Sequence, residues 1–265
     1  MSANKRKGDM ELSERKLKIL QAIISDFIMN AEPVGSRTLS RRHDIGISPA
    51  TIRNEMADLE EMGYLYHPHT SSGRVPSDKA YRLYVNSLMD KYELAEDDKK
   101  RIRKALRSNI NELEKTVRQA SELLSEITNL TSFATVEADM RNINVFLEGM
   151  TKIFAHPEYN TIDRARTFLE MVDNKEKLTN ALANRQEGLY ITIGTENTEN
   201  IVPDSSIITA TYHVDGHMVG KLGVIGPTRM RYDEIASVIE YMSNNLERSF
   251  KMLNNPQKGD TDDKE

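Results

Sequence analysis

The chain contains no cysteine. That excludes a disulfide framework, a thiolate metal site and a thiol nucleophile. It also lacks any apolar run long enough to span a bilayer, and its N-terminus has no signal-peptide apolar core. A soluble, cytoplasmic protein is the expectation. Neither sign of charge dominates: 36 Lys+Arg face 41 Asp+Glu, a net charge of −5. Such a balance argues against a nonspecific coat for nucleic acid. No Ser/His/Asp order, no paired carboxylates and no phosphate-loop glycine pattern stands out. His67 and His69 flank Pro68 without a third ligand nearby, and the strands that carry His213 and His217 separate them. No metal, cofactor or catalytic residue is therefore expected.

What the chain does have is an uneven charge. Residues 1–92 hold 14 basic and 12 acidic groups, and the remainder holds 22 and 29. The basic bias sits around Arg37, Arg41, Arg42 and Arg53, which suits a local DNA contact.

The residues from Ser36 to Pro76 organise the rest. Ser36-Arg37-Thr38-Leu39-Ser40-Arg41-Arg42 reads as a short basic helix. After a turn, Ser48 is a natural N-cap, and Pro49 fits the first helical position, where no N–H is needed. Ile52, Met56, Leu59 and Met62 recur at helical spacing and should face a core. Thr51, Arg53 and Asn54 then point elsewhere, and the first turn is uncharged and small, so it can approach a groove closely. A recognition helix enters the major groove by that end. Arginine can pair with guanine and asparagine with adenine. Tyr64-Leu65-Tyr66 and Gly73-Arg74-Val75 read as a β-ribbon with a polar tip. The whole is expected to be a winged helix-turn-helix. Its expected DNA-binding residues are Ser36, Arg37, Ser48, Thr51, Arg53, Asn54, His69, Thr70 and Arg74.

The other elements follow in order. Residues 1–11 and 254–265 read as disordered tails. Ser13 should cap a helix bearing Leu17, Leu20, Ile23, Ile24, Phe27 and Ile28. Ser77 should cap another, with Tyr81, Tyr84, Val85 and Leu88 in the core of a domain over 12–92. Lys99 to Thr131 reads as one long connecting helix, within a segment spanning 93–131. Ile110, Leu113, Val117, Leu124 and Ile127 form a heptad seam on it, expected to dimerise. Residues 132–253 should be an α+β domain. Thr131 to Val136 reads as a strand, Ile143 to Ile153 as a helix, and Asp163 to Ala183 as one helix or a pair. Three strands follow, with Asp215-Gly216 a hairpin signal, and a final helix from Tyr232 to Leu253. Thr192 to Asn197 is a polar loop that reads either as a ligand site or as a connection. A ligand-sensing protein or a small-molecule enzyme with an accessory helix-turn-helix is the competing class.

Several stretches resemble the HrcA family of bacterial heat-inducible transcription repressors. They are Leu12-Ser13, Glu32-Pro33-Val34-Gly35-Ser36, Ser48 to Met56, and His69-Thr70-Ser71-Ser72-Gly73-Arg74-Val75-Pro76. Gly188 to Glu196 and Ile225-Gly226-Pro227-Thr228-Arg229-Met230 add to them. The resemblance implies a dimer that binds an inverted-repeat operator ahead of chaperone genes. It implies a GAF-like C-terminal domain and help from the chaperonin GroEL, which heat draws away. Family members have a further stretch after the segment matching Thr131 to Val136. Here Glu137 to Asn142 leads straight on, so the GAF-like domain is expected to be incomplete and an inserted dimerising segment missing.

Overall fold

In the computed structural model, residues 12–69, 73–89, 92–107, 113–139, 142–174, 179, 186–197, 205–214 and 217–254 are described. The expected tail at 1–11, nearly all of that at 254–265, and Ile110, Thr70 and Asp215-Gly216 lie outside them. The chain divides into two compact units, residues 1–88 and 89–265. No helix among the described residues is long and apolar enough to cross a membrane.

The first unit holds α1 (Glu14–Asn30), α2 (Ser36–Arg42), α3 (Pro49–Glu61), β1 (Leu65–Tyr66), β2 (Val75–Pro76) and α4 (Asp78–Leu83). Ser13 caps α1 by accepting from the Lys16 N–H, and Ala31 closes it in a left-handed conformation. Ile19, Leu20, Ile23 and Ile24 of α1 are fully buried, as are Leu39 of α2 and Ile52, Met56 and Leu59 of α3. Three short helices thus bury one apolar stripe each against a common core. β1 and β2 pair antiparallel, with Leu65 opposite Pro76 and Tyr66 opposite Val75. Arg74 bridges back to Val34, so the chain entering α2 forms a third edge of the ribbon. Ser77 caps α4, which widens into a π-helical turn over Tyr84–Leu88. Tyr81 and Tyr84 are buried in the core, as their spacing implied.

The second unit is built on a five-stranded antiparallel sheet. Its strands are β3 (Thr131–Asp139), β4 (Asn142–Glu148), β5 (Leu189–Ile193), β6 (Ser205–Val214) and β7 (His217–Pro227), in spatial order β4-β3-β7-β6-β5. The helices are α5 (Glu96–Arg107), α6 (Leu113–Thr128), α7 (Ile162–Asp173) and α8 (Tyr232–Asn254). One sheet face lies under α6 and α8: the Ser121 and Ser132 hydroxyls meet at 3.0 Å, and Tyr212 packs on Phe250. The other face buries Phe133, Ile207 and Ile225 against Ile153, Tyr159, Phe168 and Met171. Those four come from α7 and the 3-10 turns Met150–Ala155 and Pro157–Tyr159. Gly220 is required where β7 passes β3, because a Cβ there would collide with the Thr135 carbonyl and crowd the Tyr212 hydroxyl. That hydroxyl donates to the same carbonyl at 2.6 Å.

The structure differs from the sequence expectation at two elements. The segment expected as one helix from Lys99 is two helices, α5 and α6, and both belong to the second unit. Arg101 pairs with Glu126 at 3.2 Å, whereas 25 residues along one straight helix would span about 38 Å. The helices therefore lie side by side. Of the expected dimer seam, Val117 and Leu124 have no exposed surface within the second unit, while Leu113 and Ile127 are half-buried. The second difference is β4, expected as a helix. Ile143, Val145 and Leu147 alternate with Asn144, Phe146 and Glu148, and Val145 and Leu147 pack against the Phe133 core. Period-two spacing wins there.

Candidate nucleic-acid interface

The N-terminal tip of α3 is prepared locally. The Ser48 hydroxyl accepts from the Thr51 N–H at 3.1 Å, and the two hydroxyls meet at 3.0 Å. Pro49 occupies the first helical turn. Ser48, Pro49 and Ala50 are exposed and small, and Thr51 is half-buried. Arg53 and Asn54 project into solvent while Ile52 and Met56 hold the helix from behind. No described ion pair engages Arg53 or Arg37. Arg37 is exposed on the first turn of α2, beside half-buried Ser36. Gly46 turns the chain between α2 and α3 in the left-handed region, at φ +71°.

Three carboxylate clusters shape the surroundings, and sequence reading missed all of them. Lys16 of α1 donates to Glu55 at 2.6 Å and to Asp58 at 2.8 Å, and Arg15 approaches Glu55 at 3.5 Å. The Asp58 and Glu55 hydrogen bonds push the Lys16 ammonium above its ordinary range. Those pairings offset the two acids that follow the tip, which would otherwise repel phosphate. Asp26, only 8% exposed, lies 3.0 Å from His43 Nε2 and 3.4 Å from Arg42. It ties the end of α2 to α1. Glu60 meets His67 at 2.5 Å and Arg74 at 3.1 Å. A signal existed only for Asp26, an acid placed on the apolar face of α1.

The expected site residues are thus not all alike in setting. Arg37, Ser48, Arg53, Asn54 and His69 are exposed. The Arg74 side chain is 13% exposed and held by Glu60. Thr70 is not among the described residues.

Several polar groups of the second unit are engaged internally. After β5, Glu196 accepts from the Ile193 N–H, and Asn197 donates to the Gly194 and Ser205 carbonyls. His213 pairs with Glu247 at 2.8 Å. Among the described residues no three His, Asp or Glu gather as a metal site. Arg229, in the turn that follows β7, grips Glu158.

A profile described as "HrcA protein C terminal domain" matches residues 79–236. The heat-inducible transcription repressor HrcA of Clostridioides difficile is 36% identical over 333 aligned positions, covering 88% of this chain and 98% of that one. The chain belongs to the HrcA family. The HrcA of Ruminiclostridium cellulolyticum is 34% identical over 348 positions, covering 93% and 100%. Both alignments are longer than this chain's 265 residues, so these HrcA relatives carry residues that it skips. Where the resemblance put the missing stretch, β3 returns as β4 with Asp139 opposite Asn142. A solved structure described as a hypothetical protein is 19% identical, with TM-score 0.74, and covers 92% of this chain and 100% of that one. It shares the HrcA-family fold seen here.

Proposed function

We propose that the chain is a sequence-specific transcriptional repressor of heat-shock genes, reading DNA through a winged helix-turn-helix. In this reading α2 and α3 are the helix-turn-helix, α3 lies in the major groove, and β1–β2 is the wing. Ser36 and Arg37 meet phosphate, Ser48 and Thr51 line the entering tip, and Arg53 and Asn54 reach base edges. His69 and Thr70 approach DNA from the wing. The observation that carries this is the tip of α3: a capped, nearly neutral helix end with Arg53 and Asn54 exposed and its aliphatic face anchored.

Family membership supports the regulatory role, and the relatives' printed name, heat-inducible transcription repressor, supports the stress response. The chain then acts as a homodimer on an inverted repeat, because two linked reading heads match a two-fold operator. The second unit serves as a GAF-like regulatory domain, with GroEL keeping the repressor active until heat diverts it.

Gel shifts at two salt concentrations test the reading. A duplex enriched from a randomised pool should stay bound where a scrambled duplex is lost. Arg53→Ala should narrow the gap between correct and altered bases by about 1–3 kcal/mol. Equal affinity for both duplexes in the wild type would overturn it.

A further inference from the structure

The last full turn of α3 reaches across to the ribbon through one carboxylate. Glu60 Oε1 takes His67 Nδ1 at 2.5 Å, just after β1. Its Oε2 takes Arg74 Nε at 3.2 Å and Nη2 at 3.1 Å, just before β2. One side chain therefore grips both legs of the hairpin at the base of its tip. The Arg74 backbone is held as well: it exchanges hydrogen bonds with Val34 at 2.9 and 3.0 Å. Gly73 makes that approach possible, since a Cβ there would lie 2.5 Å from the Val34 carbonyl carbon. Ser77 closes the base by donating to the Gly63 and Tyr64 carbonyls. Helix, preceding strand and following cap thus all converge on the ribbon's root.

We infer that Glu60 is a positioning residue that aims the ribbon tip from the recognition helix, and that Arg74 serves this brace rather than a phosphate. The inference rests on the DNA-reading function above. Arg74 is the expected wing cation, but its side chain is largely covered and its Nε/Nη2 edge is taken by Glu60. A phosphate would have to displace a carboxylate that already neutralises it. Both partners of the brace come from the ribbon, so the angle between helix and wing depends on Glu60 more than on the tip's own residues.

The prediction separates the two roles by salt. Anisotropy titrations of the full chain use the enriched duplex and a scrambled duplex over a salt series. Glu60→Ala should release Arg74 as a free cation, steepening the salt dependence by about one phosphate contact on both duplexes. It should also lower the preference for the enriched duplex by about tenfold, because the tip is no longer aimed. Glu60→Gln keeps one acceptor oxygen, replaces the other with an amide N–H donor and drops the charge; it should steepen the slope and hold preference within about twofold of wild type. Arg74→Ala should lose preference with the slope unchanged. Melting curves confirm that each variant folds; if Glu60→Ala does not, the Gln and Arg74 variants carry the comparison. A flatter slope in Arg74→Ala overturns the inference, as does a folded Glu60→Ala with wild-type slope and preference. A wild-type chain without duplex preference removes the parent reading, and this inference with it.

Discussion

His156 sits between the two 3-10 turns that cover the sheet, with its Nε2 buried and no hydrogen-bond partner among the described residues. Burial pushes its imidazole below the ordinary value of 6.5, and the Arg229 guanidinium adds to the shift; Glu158 opposes it in part. The unfolded chain then binds a proton more readily than the folded one. Stability is complete above pH 6.5 and falls as acid titrates His156 through its lowered range. Glu234 carries the opposite sign, because burial raises its carboxyl above 4.5, so part of the acid loss is offset at lower pH. Thermal melts at about pH 7.5 and about pH 5.5 should show a clear drop for the wild type, and a smaller drop for His156→Leu. An equal drop in both proteins would mean that His156 is not the group responsible.

Element by element, the helices with local signals were the legible ones. α1 and α3 announce themselves by Ser13 and Ser48 caps and by apolar residues on one face, all within the helix itself. The α3 tip was readable for that reason, while the Glu60 brace joins residues 7 and 14 positions away across a turn. β4 was misread because Phe146 interrupts the alternation with an apolar residue on the helical face, where it lies under Arg118. A run that short carries both periods. The Leu113–Ile127 seam is a different case. Heptad spacing states that one face wants burial, and a sheet satisfies it as well as a second helix does. Here Leu124 is fully buried in its own unit, and the hydroxyls of Ser121 and Ser125 on α6 bond to β3 and to the Leu130 carbonyl. Leu124→Ala should therefore cost about 2–5 kcal/mol in urea unfolding of the second unit. Its melting temperature should not depend on protein concentration more than the wild type's does; a concentration dependence introduced by the variant would restore the seam as an intermolecular contact.

At the scale of the whole chain, the charge is divided between the parts. Residues 1–92 carry two more basic than acidic groups, and the remainder seven more acidic than basic. A polyanion is attracted to one end and repelled by the other, which favours approach of DNA to the first unit. In the proposed homodimer each reading head makes few contacts, so tight binding would depend on linking two of them. The second contact then becomes intramolecular, and its effective concentration replaces the bulk one. Operator occupancy should consequently track the dimer rather than the total protein. Heat acts on that linkage first if the pairing surface lies in the second unit, since unfolding that unit unlinks the heads while each α3 remains intact. Sedimentation and anisotropy, followed together over a temperature ramp, should show dimer and operator binding disappearing at the same temperature. The isolated residues 1–88 should keep only weak binding, steeply salt-dependent, throughout the ramp. A dimer that persists well above the loss of binding would move the thermal switch out of the linkage and into the reading head itself.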